Sequence, residues 1–589
     1  MSFKAAFLGG LAVTALGIFA HAQIDSESMG DLNAWGERYL TSEEKEFPTS
    51  LWSGSNDQTL LQLMQDTSAA RLTPAERALL RRIILSPTRS PRGELADALL
   101  TERARLMLEL GEADAAAALA PRLEEAARGL DAETIAVDLE MASGREASAC
   151  NRLTGPVPEG AYWLKLRAVC AVLQENYSGA ELAVEVATAQ GLDDPWFVEA
   201  IFAASGDAPN PPGARFDTGL NIALSSRAAL DLNRVTLSAS RPDLAAAAAQ
   251  RPGVPDQLRA RFAEIADAAG LISAPVRRDI ISASFTDPEF RPSNSLEETL
   301  LRLTDPLTQD IEKAEKLNSE LLKAAQSDFQ TYSSAAKLFL PDLSDLPKTY
   351  ETGEYGIAFA RAALAANDTE LADAWLRAAE EEPPAPPVET IPTIEIDPVT
   401  GLIVEASLET APEDVDTAPE EVDTSPPEIE TRPAPDPFDI AVIQSLSLML
   451  GADNVYGSPR AVQARLVESV QSDQQSQYAA HLLTLWSGFG ITVGADGRAL
   501  LRLQAEAAER VDPYQLITIE AAAKSGAIGE AALMALRQID GSPHALASAD
   551  LAQLISSLRQ IQAEDIAARL AFEASEVWKQ DIGQIAPED

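Results

Sequence analysis

The chain holds 589 residues (62.8 kDa), length for about three or four globular units at roughly 150 residues each. Apolar residues make up 46% of it, so a large core can be buried, while 91 acidic against 46 basic residues leave a net charge of −45. That charge repels a phosphate backbone and excludes a nucleic-acid protein. Three His and two Cys exclude zinc fingers, iron–sulfur clusters and His-rich metal cages, so neither a metal nor a cofactor is expected.

Residues 1–22 read as an export signal. Lys4 supplies the positive start, Ala5 to Phe19 the apolar run, and Ala20-His21-Ala22 the small-x-small cleavage site. The run is shorter than the ~20 residues a membrane span requires, and no second one follows, so the mature chain is expected to lack a transmembrane segment. No Cys lies near the cleavage site to carry a lipid. Export to a bacterial periplasm makes Cys150 and Cys170, 20 positions apart, a disulfide candidate. Gly155, Pro156, Pro158 and Gly160 between them form a turn that brings two helices together.

From Glu94 onward the dominant pattern is helix–turn–helix. Ala96, Leu99, Leu100, Ala104, Met107 and Leu108 share one helical face, Gly111 to Asp114 break it, and a second helix begins at Ala115. The same grammar recurs around Glu175–Ser178, Asn367-Asp368 and Ser525-Gly526, and over Leu554–Ala574. In each copy a small residue opens the second helix five positions after the turn: Ala116, Ala180, Ala372, Ala531 and Ala567. Small side chains there let paired helices approach closely. Pro384 and Pro543 follow twelve residues after Ala372 and Ala531. This arrangement resembles the tetratricopeptide repeat (TPR), although the Trp and Tyr of that family's first helix are mostly absent and the copies are not in clean tandem. The resemblance covers about a third of the chain and implies an all-α, α-solenoid fold of stacked hairpins that presents a concave face to a protein partner. Between the hairpins, Arg241 to Ala269 breaks into short helices with HEAT-like spacing. Ser295 to Lys337 reads as a longer helical stretch opened by a capping box at Ser295–Glu298.

Residues 380–437 hold 13 of the 37 prolines and 17 acidic residues, with Arg432 the one basic residue. Seven-residue repeats start at Thr410, Thr417 and Thr424. Self-repulsion and proline stiffness predict an extended, disordered linker, within which Ile394 to Leu408 has the apolar content to dock as a short strand or peptide. The linker divides a helical solenoid at 23–379 from a smaller C-terminal helical unit at 438–589.

Arg71 to Arg92 is a basic island with a net charge of +5. Arg71, Arg77, Arg81, Arg82, Arg89 and Arg92 form a candidate patch for an anionic partner or envelope surface; the competing reading is a solvated face paired with local acids. Catalysis finds no such support. His481 and His544 are the histidines left after export, and no nucleophile elbow, phosphate loop or metal-binding motif occurs. Trp35, Trp52, Trp163 and Trp196 are sugar-stacking platforms if exposed and core fillers if buried. The expected function is therefore a non-enzymatic periplasmic scaffold or adaptor that binds another envelope protein. The alternatives are a glycan- or anionic-surface-binding module and a cryptic peptidoglycan hydrolase, the last lacking an identifiable acid pair.

Overall fold

The computed structural model describes residues 34–124, 130–154, 160–206, 208, 210–228, 230–237, 241–286, 290–383, 432–452, 456–503 and 509–579. The signal segment 1–22, most of the linker and the Ile394–Leu408 segment lie outside them. Among the described residues the chain forms 26 α-helices and two short strands. The opening helices are α1 (Asp57–Asp66), α2 (Pro74–Leu85), α3 (Ala96–Leu110), α4 (Ala113–Leu119), α5 (Ala132–Ala142), α6 (Glu146–Asn151), α7 (Ala161–Leu173), α8 (Tyr177–Ala189) and α9 (Pro195–Ala204). Strand β1 (Gly213–Phe216), α10 (Gly219–Arg227) and β2 (Asp231–Leu237) come next. The middle continues with α11 (Pro242–Ala249), α12 (Asp256–Ala268), α13 (Ala274–Ala283), α14 (Ser295–Thr304), α15 (Asp310–Ala325), α16 (Phe329–Asp345), α17 (Gly356–Ala365) and α18 (Thr369–Glu380). After residue 431 follow α19 (Pro437–Met449), α20 (Pro459–Glu468), α21 (Asp473–Gly488), α22 (Ala495–Leu500), α23 (Pro513–Ser525), α24 (Ile528–Ile539), α25 (Ser548–Gln560) and α26 (Glu564–Ser575).

The hairpins share one local device. The turn residue adopts a left-handed conformation in each of the five: Gly111 (φ 84°), Glu175 (59°), Asn367 (66°), Gly526 (81°) and Gln562 (65°). Five positions later the predicted alanines are buried, each 0 or 1% exposed. A left-handed residue ends the first helix by turning its amide back onto the last carbonyls, and the alanine lets the second helix lie against the first. A sixth hairpin, α5–α6, obeys the same rule with Gly144 (φ 83°) and the fully buried Ala149. Its second helix has six residues, too few to display a periodic stripe. Cys150 and Cys170 form a disulfide that joins α6 to α7, with Cα atoms 5.8 Å apart.

Three local expectations shift. The stretch from Ser295 is not continuous but three helices, α14 to α16, and its first cap is Asn294 rather than Ser295. The Asn294 side chain accepts the Glu297 amide at 2.8 Å, while Glu297 reaches back to the Ser293 amide and hydroxyl at 2.7 Å. The fold is also not purely helical. β1 and β2 pair in parallel around α10, where Phe216 packs edge-on against Phe262 (5.2 Å) and the half-buried Trp196 donates its indole N–H to the Gly213 carbonyl at 2.8 Å. β1 has four residues, so its alternation of half-buried and buried positions is too brief to stand out in the sequence.

Successive helices pack on their chain neighbours, an arrangement compatible with stacked hairpins. Buried apolar residues form one cluster from Trp35 to Trp578. Helices on the two sides of residues 384–431 share it. α19 packs on α17 and α18, and Arg361 pairs with Asp439 at 2.9 Å. Arg432 sits at the end of α18, stacked 4.4 Å over Tyr350 and donating to the carbonyls of Ala378 (2.8 Å), Ala379 (2.5 Å) and Glu381 (3.1 Å). The first helices meet the last ones. α1 and α2 pack on α24, and α2 packs on α26. The Gly529 amide donates to the Leu51 carbonyl at 2.9 Å, in a contact that leaves room for no side chain. A Cβ on Gly529 would lie 2.5 Å from the Trp52 ring.

Candidate functional site

A groove of 850 Å³ is bounded by α12 to α16 and the edge of β2. Amphipathic spacing builds it. On α12, Gln257, Arg261, Glu264 and Ala268 fall at intervals of three and four and are exposed, while Phe262, Ala263 and Ala266 on the same helix are buried. On α16 the groove-lining Thr331, Ser334 and Ala335 stand above the fully buried Phe339. The result is a floor that includes Leu258, Leu296, Ala335 and Phe339, with a rim carrying Arg261, Glu264, Lys323 and Gln330.

Charges of both signs are built into this floor. Arg277, 7% exposed, donates from Nη1 to Asp267 Oδ2 at 2.9 Å and to Ser334 Oγ at 2.6 Å. Ser334 also donates to the same carboxylate. Glu297 and Glu320 are buried, and Lys323 at the rim reaches Ser295 Oγ at 2.5 Å. An apolar floor with a few fixed charged and amide groups is what an extended peptide needs: surface to bury, and donors and acceptors for its backbone. The groove lining contains no His and no Cys; its hydroxyl and charged groups come from Ser, Thr, Arg, Lys and Glu. Among the described residues no group of three or more His, Cys, Asp and Glu is placed to hold a metal ion.

The six arginines of the basic island do not share one face. Arg81 is tied to Glu44 and, at 2.5 Å, to Glu112. Arg82 forms a two-pronged pair with Asp565 of α26 at 3.0 and 2.5 Å. Arg77 donates to the Ala69 carbonyl at 3.2 Å. Arg71, Arg89 and Arg92 are exposed, but they flank opposite ends of α2, a helix roughly 18 Å long.

Trp35, Trp52 and Trp163 are 3 to 6% exposed and offer no stacking face. His481 is half-buried beside Ser548, its Nδ1 2.6 Å from the hydroxyl, and loss of water around the ring lowers its pKa to about 4. His544 is exposed on the short turn Pro543–Ala545. Sequence reasoning did not find the groove. Its walls come from five helices whose individual stripes look like ordinary core patterns, and the one available signal was the exposed i, i+4, i+7 polar face on α12. No protein-family model, no curated protein and no solved structure matches the chain.

Proposed function

We propose that this protein is an exported, non-enzymatic scaffold or adaptor of TPR-like stacked hairpins, which binds an extended segment of another envelope protein in the α12–α16 groove. The observation that carries this reading is the groove itself: an apolar floor and a two-signed polar rim between packed helices. Periplasmic location is part of the proposal. It is supported by the signal-like residues 1–22 and by the Cys150–Cys170 disulfide, which persists in oxidising compartments. Among the described residues no helix is long and apolar enough to cross a membrane. Binding to an anionic surface through the basic island has less support, since Arg81 and Arg82 are engaged in ion pairs.

Photo-crosslinking in living cells tests the groove. A photoreactive amino acid at Arg261 or Gln330 is expected to trap one envelope protein reproducibly, while the same probe at the exposed Tyr514 of α23 does not. Equal or absent trapping from the groove positions would remove the reading.

A further inference from the structure

A smaller cavity of 160 Å³ lies where four distant parts of the chain meet: the first turn of α2, the pair α16–α17, the end of α19, and α26. Phe329, Phe572, Leu364 and Leu450 give it apolar walls, with Phe329 and Phe572 packed ring to ring at 5.9 Å. Glu573 is the acid in its lining. The residue is 4% exposed; its Oε1 accepts the Ala75 amide at 2.8 Å, and its buried Oε2 has no hydrogen-bond partner. Lys337, Asn367 and Arg569 also line the cavity and are exposed, so they form its mouth.

A buried acid with an unused oxygen and two cations lining one apolar-walled cavity are together complementary to a small dipolar molecule. We propose that this cavity binds a small free α-amino acid, its ammonium on Glu573 Oε2 and its carboxylate on Arg569 and Lys337. The volume holds about five water-sized groups, which limits the ligand to a short side chain. A buried polar atom without a partner is costly, and a ligand ammonium supplies the missing bond.

Burial pushes the Glu573 carboxyl up to about 8, and Glu76 on α2 adds to the rise. Thr73, the Ala75 amide and Lys337 oppose it. Glu76 is itself raised by burial and by Asp540 beside it, while Lys337, though exposed at its surface, is lowered by the protein packed around its ammonium and by Arg569. The empty site is therefore mostly neutral at pH 7, with about nine in ten molecules protonated. An arriving ammonium favours the carboxylate, so the carboxyl proton leaves to solvent and binding releases about one proton.

Isothermal titration calorimetry of the full chain with L-alanine, at pH 7 in phosphate and in Tris, tests this. Saturable binding is expected, with a heat that differs between the buffers by the ionisation enthalpy of about one proton. Propionate and propylamine, which carry one charged end each, are expected to bind at least about tenfold more weakly. Glu573→Gln keeps an acceptor for the Ala75 amide and is expected to abolish proton release. Arg569→Gln, at the exposed mouth, is expected to weaken L-alanine about tenfold with an unchanged unfolding temperature, which keeps the test decisive if the Glu573 variant fails to fold. No saturable heat up to about 10 mM L-alanine, or binding indifferent to Arg569→Gln, overturns the proposal. Either result leaves the groove reading untouched, because the two sites share no residue.

Discussion

Arg103 shows how this core carries a charge without a carboxylate at hand. It is 0% exposed and donates to the carbonyls of Ile84 (2.7 Å), Ser86 (3.0 Å) and Trp35 (3.4 Å), with its guanidinium over the Trp35 and Tyr39 rings. These bonds tie the end of α2 and the preceding N-terminal segment to α3. Arg103→Ala strands the carbonyls and empties the site, at a cost of about 3–5 kcal/mol. Arg103→Lys should recover little, because an ammonium lacks the planar fork. Urea midpoints at constant m-value read both effects, and a shift under about 1 kcal/mol for the alanine variant would show that the fork is dispensable. Nothing in the sequence marks this residue. It sits beside the apolar Ala104 on a helix otherwise read correctly, and its partners are set by how the chain returns across it. The Cys150–Cys170 bond was legible because two cysteines in an export-signal context leave one pairing.

At the scale of the element, the hairpin turns separate into two kinds. Gly111, Gly144 and Gly526 adopt the left-handed conformation without penalty, whereas Glu175, Asn367 and Gln562 hold it with a side chain attached. Gln562 is exposed, so Gln562→Gly should stabilise the protein by about 0.5–1 kcal/mol, the relief of strain exceeding the added freedom of the unfolded chain. Gly526→Ala should move stability by about 1 kcal/mol in the opposite direction. Thermal unfolding of the two variants side by side is the check, and shifts of the same sign would refute the argument. The turn and the alanine five residues on were readable because both are local. The sixth hairpin was missed since α6 is one and a half turns long, and the Asn294 cap was misplaced by one residue because Ser295 satisfies the same pattern.

For the whole molecule, the contacts between its ends were the least legible feature. The amide of Ala75 and the carboxyl of Glu573 lie 498 positions apart, and no composition shift or periodicity encodes such a meeting. The acidic, proline-rich stretch suggested a division there, yet α17 and α19 pack across it and α2 packs on α26. Bringing the ends together has a cost that pH exposes. Glu573 titrates near 8 when folded against an ordinary 4.5, so the folded state holds the extra proton between those values. Its contribution to stability is complete below about 4.5 and is lost as pH rises through 8, by up to about 1.4 kcal/mol per unit. Glu76 and Asp138, both raised by burial, act in the same direction. His481 has the opposite sign. It titrates near 4 when folded against 6.5, so its contribution is present above 6.5 and lost as pH falls towards 4. The two slopes oppose each other between about 4.5 and 6.5, and above 6.5 the His481 slope is absent and the raised carboxyls remain. Urea midpoints should therefore be nearly level from about pH 5 to 6.5 and decline towards pH 8. Glu573→Gln should flatten the alkaline decline, and His481→Gln should turn the plateau into a continued rise as pH drops. A wild-type midpoint that climbs between pH 6.5 and 8 would mean that Glu573 is already ionised in the folded protein, and that its unpartnered oxygen is satisfied by something other than its own proton.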